Sequence, residues 1–75
     1  MAVLKVRFGR ELKYLRKKFD LTQEQLAEKT GLSVDFIGMI ERGERAPSFE
    51  TIEKFAKVLK VKISELFIDE DTGSE

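Results

Sequence analysis

The side chains of this chain that could carry out chemistry are few in kind. Cysteine and histidine are both absent, which removes thiolate nucleophiles, disulfides, the usual neutral-pH base and nearly every zinc arrangement. Neither a metal nor a cofactor is expected. Glu41 and Glu44 could share acid–base work, but Arg42 stands beside both, and the glycines assemble no phosphate-binding loop. Without a nucleophile–base pair an enzyme is not expected. What remains is ionic. Within residues 1–18, Lys5, Arg7, Arg10, Lys13, Arg16, Lys17 and Lys18 stand against Glu11 alone, whereas within 61–75 Lys62 stands against Glu65, Asp69, Glu70, Asp71 and Glu75. The formal net charge of zero therefore hides a chain that runs from a basic start to an acidic end. A basic segment of this kind suits a phosphate backbone. It equally suits a solvated helix face, and charge alone favours the solvated face.

Helices must position these groups. Leu4, Phe8, Leu12, Leu15 and Phe19 recur in steps of three and four, which predicts a helix over about 3–18 with that stripe turned to the core. Thr22-Gln23-Glu24-Gln25 fits a capping box with Thr22 as N-cap, so a second helix takes about 23–29, and Gly31 supplies the left-handed residue behind it. Ser33 caps a third helix of about 34–41, with Val34, Ile37 and Ile40 on or near one face while Asp35, Met39 and Arg42 point elsewhere; Gly43 closes it. Glu41 to Pro47 reads as a loop, and Ser48 caps a fourth helix whose apolar stripe is Ile52, Phe55, Ala56 and Leu59. A short last helix starts at Ser64 and carries Leu66, Phe67 and Ile68.

No strand pattern or repeat interrupts this, so an all-α domain of five short helices is expected over residues 1–68. The acidic tail 69–75 has no apolar residue and is expected to be disordered. At 75 residues the chain is near the lower size at which an apolar core holds a fold without disulfides or metal, so self-association is expected and a second, effector-binding domain is not. Residues 1–10 hold Lys5, Arg7 and Arg10 and no long apolar run. Neither a signal peptide nor a membrane span is expected, and the expected location is the cytoplasm.

Two short helices joined by a glycine-containing turn, as in Thr22 to Arg42, occur in many all-α domains. The residues are more specific than the spacing. Leu21-Thr22-Gln23-Glu24-Gln25-Leu26-Ala27, Gly31-Leu32-Ser33 and Phe36-Ile37-Gly38-Met39-Ile40-Glu41-Arg42-Gly43-Glu44-Arg45-Ala46-Pro47-Ser48 resemble the family of phage lambda-type repressors and Cro proteins, over about residues 5–68. Within it the chain most resembles the short stand-alone regulators, including the controller proteins of restriction-modification systems. The resemblance implies a five-helix lambda-repressor-like DNA-binding domain whose helix-turn-helix, Leu21 to Gly43, offers a recognition helix within residues 33–42 to the major groove. It further implies a transcriptional regulator, a repressor or autoregulator, that binds a palindromic operator in double-stranded DNA as a homodimer. The rival reading is an antitoxin-like interaction module that holds a small toxin-like partner protein and binds DNA only secondarily.

The resemblance also assigns residues. Gln23 would meet phosphate and brace the recognition helix, at a helix N-terminus that favours anions in any case. Arg16 and Glu41 match an ion pair that locks helices together, and Arg42 and Arg45 match loop positions that reach the DNA backbone. Ser33, Val34, Asp35, Gly38 and Met39 would face the base edges, while Phe36 is open between core and backbone-facing rim. Relatives often carry Gln, Asn, Arg or Ser on that face, because these groups make bidentate bonds to bases. Val34 can instead touch a thymine methyl and Asp35 can accept from a cytosine amino group, so DNA shape is expected to contribute to specificity. Ile63, Leu66, Phe67 and Ile68 offer more apolar surface than a short terminal helix buries on its own core, and are expected at the dimer interface.

Overall fold

A computed structural model describes residues 3–67; Ile68 and the tail 69–75 lie outside them. Four helices follow in order: α1 (Val3–Lys18), α2 (Gln23–Thr30), α3 (Val34–Glu41) and α4 (Phe49–Leu59), and a 3-10 helix, Ile63–Phe67, comes last. The described residues contain no strand. The short last helix takes the tighter 3-10 form and opens at Ile63, one residue before Ser64, steadied where Glu65 Oε1 accepts from the Lys62 amide at 2.7 Å.

Each internal helix begins on a side-chain oxygen. Thr22 Oγ1 accepts from the Gln25 amide at 3.0 Å while Gln25 Oε1 accepts from the Thr22 amide at 2.8 Å, a reciprocal capping box. Ser33 and Ser48 accept in the same way from the Phe36 and Thr51 amides. The C-termini share one device, a left-handed residue followed by an amide that bonds back to the last helical turn. Gly31 (φ 75°) and Gly43 (φ 79°) fill that place after α2 and α3, with Leu32 bonded to the Ala27 carbonyl and Glu44 to that of Met39. After α1 and α4 it is filled by Asp20 (φ 59°) and Lys60 (φ 57°), which bear a steric cost that glycine does not.

Every helix contributes to the core: Phe8, Leu12 and Leu15 from α1, Leu26 and Ala27 from α2, Ile37 and Ile40 from α3, and Ile52, Phe55, Ala56 and Leu59 from α4. Leu4 and Phe19, the ends of the predicted stripe, are exposed. Leu4 stands in the first turn of α1 and Phe19 just past its end, at the margins of the stripe. Leu66, expected at a dimer contact, is instead fully buried in the protomer's own core. Phe67 beside it is partly exposed, its ring 5.2 Å from that of Phe8.

Candidate nucleic-acid interface

Glu41, at the end of α3, is the point where three helices are tied together. Arg16 of α1 donates to it from Nε (2.7 Å) and Nη2 (3.2 Å), and reaches the Leu21 carbonyl from Nη1 (2.7 Å). Gln23, the first residue of α2, donates from Nε2 to Glu41 Oε1 at 2.9 Å. The Arg16 and Glu41 side chains are almost wholly buried. Desolvation offsets much of the Coulombic gain of such a pair, so its contribution lies chiefly in fixing geometry: the angle of α3 relative to α1 and α2 is set by one carboxylate with directional partners. Gly9 permits the approach. A Cβ there would overlap the Ile40 carbonyl oxygen and lie 2.8 Å from that of Glu41. A glycine inside a helical stripe was the one sequence signal for this crossing, and periodicity alone passes over it.

On the outer side of α3, Gln23, Val34, Asp35, Gly38, Met39 and Arg42 line one shallow depression of about 300 Å³. Six of the eight residues expected to face DNA are thereby brought to one surface, and two lie beyond its lining. Ser33 caps the helix, its oxygen accepting from Phe36 at 3.0 Å while the hydroxyl can still donate outward. Arg45 sits over the ring of Phe36, 5.6 Å from its centroid. Phe36 is half-buried and packed against the core, so it belongs to the rim and carries Arg45 there.

Arg42 does not extend freely from its loop. It donates to Glu44 from Nε at 2.9 Å and Nη2 at 3.3 Å. Those hydrogen bonds and the Glu44 charge, with a smaller contribution from Asp35, raise its pKa further, while hydrogen bonding to Arg42 holds the Glu44 carboxyl below its ordinary range. Both side chains are more than half exposed, so the pair contributes little to stability. In the sequence Glu44 had been weighed only for acid–base work with Glu41.

A second, apolar depression is lined by Leu4, Phe8, Ala46, Pro47, Phe49, Ile52 and Phe67, with Lys5 at its edge. Phe49 is 87% exposed, and Leu4, Ile63 and Phe67 are also open to solvent. Neither Leu4 nor Phe49 was expected at an interface. Among the described residues no group of three or more His, Cys, Asp or Glu could hold a metal ion, and no helix is long and apolar enough to cross a membrane.

The helix-turn-helix family model matches residues 12–66. The control protein C.MunI of a Mycoplasma species is 43% identical over 67 residues, covering 88% of this chain and 90% of its own. An uncharacterized HTH-type transcriptional regulator of Methanocaldococcus jannaschii is 48% identical over 61 residues, covering 81% of this chain and 92% of its own. Among solved structures, the restriction-modification controller protein C.AhdI from Aeromonas hydrophila superposes with a TM-score of 0.81 at 41% identity, over 84% of this chain and 96% of that one.

Proposed function

The chain belongs to the helix-turn-helix family of DNA-binding transcription regulators, and on that premise we propose that it acts in the cytoplasm as a sequence-specific repressor or autoregulator, binding a palindromic operator as a homodimer. The observation that carries this reading is the gathering of Gln23, Val34, Asp35, Gly38, Met39 and Arg42 on one surface of the helix-turn-helix, whose angle is braced from beneath by buried Glu41. α3 enters the major groove, with Val34 and Met39 against base edges. Gln23, at the positive end of α2, and Arg45, on its aromatic rest, meet phosphates. Similarity to a control protein and to a restriction-modification controller supports a regulator of that kind.

Dimerisation would bury the exposed apolar side chains of the second depression, above all Phe49 and Phe67, together with Ile63. A two-fold dimer places two copies of α3 in successive major grooves on one side of the duplex, roughly 34 Å apart. Binding-site selection with the purified protein tests the whole reading. A recovered palindrome with half-sites about one helical turn apart is expected; selection of no motif refutes it.

A further inference from the structure

A bidentate donor makes the commonest specific base contact, and Val34, Asp35, Gly38 and Met39 provide no donor of that kind. The fold brings one from the end of the helix. Arg42 is the C-cap of α3, and side chains there tilt back toward the N-terminus. Its guanidinium lies over Gly38, with Nη1 only 3.1 Å from where a Cβ of that residue would stand. It therefore shares the depression of Val34, Asp35 and Met39. Glu44 fixes the plane of the group by engaging its Nε and Nη2 edge. A guanidinium offers five N–H donors in a rigid fork. Two are spent on Glu44, which leaves the outer edge of Nη1 and Nη2 on a side chain that is 60% exposed.

We propose that Arg42 reads a base: its outer edge takes N7 and O6 of one guanine in each half-site, Glu44 is its positioning residue, and Gly38 is glycine because a Cβ there would crowd the guanidinium. This rests on the reading of α3 as the groove-bound helix and moves Arg42 from a backbone contact to a base contact. Arg45, outside the depression, remains a backbone contact. The arrangement exchanges affinity for selectivity, since Glu44 and Asp35 repel phosphate near the cation that lines this depression.

Binding-site selection and salt titration on the parent, Arg42→Ala, Gly38→Ala, Glu44→Ala and Glu44→Gln test this, with thermal melts to establish that each variant is folded. The parent motif is expected to hold a guanine at one symmetric position per half-site, whose replacement weakens binding roughly tenfold. Arg42→Ala should accept all four bases there. Gly38→Ala retains every charge but pushes the guanidinium off its position, so it should weaken the same preference while keeping the parental salt slope. Glu44→Ala should blur the preference yet bind random DNA more tightly, and Glu44→Gln, whose Oε1 can still accept from Nε, should recover part of the preference. If Arg42→Ala and Gly38→Ala both return the parental motif, and Arg42→Ala weakens all DNA equally, the base-reading role is overturned and the operator reading stands. A parent that selects no motif overturns both.

Discussion

Gly9 and Gly38 both lie inside helices, and replacing each by alanine should have opposite effects. Helix propensity favours the change at either site by about 1 kcal/mol. At Gly38 the new methyl meets the end of the Arg42 side chain, at 3.1 Å, with Gln23 Nε2 in ordinary contact at 3.9 Å. That group is exposed and held by an exposed partner, so it swings aside at little cost. Gly38→Ala should therefore gain about 0.5–1 kcal/mol, a rise of roughly 2–8 °C in melting temperature for a domain of this size. At Gly9 the methyl would meet the backbone carbonyls of Ile40 and Glu41, which cannot rotate away. α1 and α3 must separate, loosening a close-packed crossing and pulling Arg16 away from Glu41. Overpacking of this kind costs about 1–3 kcal/mol, and more when the neighbour is backbone; after the propensity gain the net loss should be about 2 kcal/mol, or roughly 8–16 °C. Thermal and urea melts of the three proteins at one concentration read both effects while holding any association constant. A Gly9→Ala protein that melts at or above the parent would refute the claimed tightness of the crossing.

The left-handed Lys60 after α4 (φ 57°) gives a third expectation: Lys60→Gly should stabilise the protein by about 0.5–1 kcal/mol, because the steric cost of αL outweighs the entropy that glycine adds to the unfolded chain. A lower urea midpoint for this variant would contradict the strain assignment. Glu41→Ala leaves Arg16 buried without its carboxylate and should cost about 3 kcal/mol. In a double-mutant cycle with Arg16→Ala the two losses should be far from additive, and additivity would mean the side chains do not couple in solution. Phe49→Ser removes a ring that is 87% exposed in the protomer; sedimentation should show weaker self-association with a nearly unchanged monomer fold, and unchanged association would place the dimer contact elsewhere.

The helices themselves were legible in the chain because their determinants are local. Capping oxygens at Thr22, Ser33 and Ser48 act on amides three residues ahead, and apolar steps of three and four define a face whatever that face later meets. Gly31 and Gly43 were equally readable, since they alone among nearby residues take positive φ without a Cβ penalty. The HTH motif residues, read as a pattern, pointed to the family. Other features depended on groups far apart in sequence. Whether Leu66 or Phe67 turned inward was decided by packing against α1 and α4, because adjacent apolar residues in a short turn carry no signal for which one is buried. The exposure of Leu4 and Phe19 depends on how far the packed core reaches along α1, which the stripe on α1 does not encode. Gly9 gained its meaning only when the carbonyls of Ile40 and Glu41 arrived against it. Arg42 read as a loop cation until the fold laid it over Gly38 and against Glu44, because the direction of a long side chain is set by the space and charge that its neighbours leave, and those are fixed only once the helices are packed.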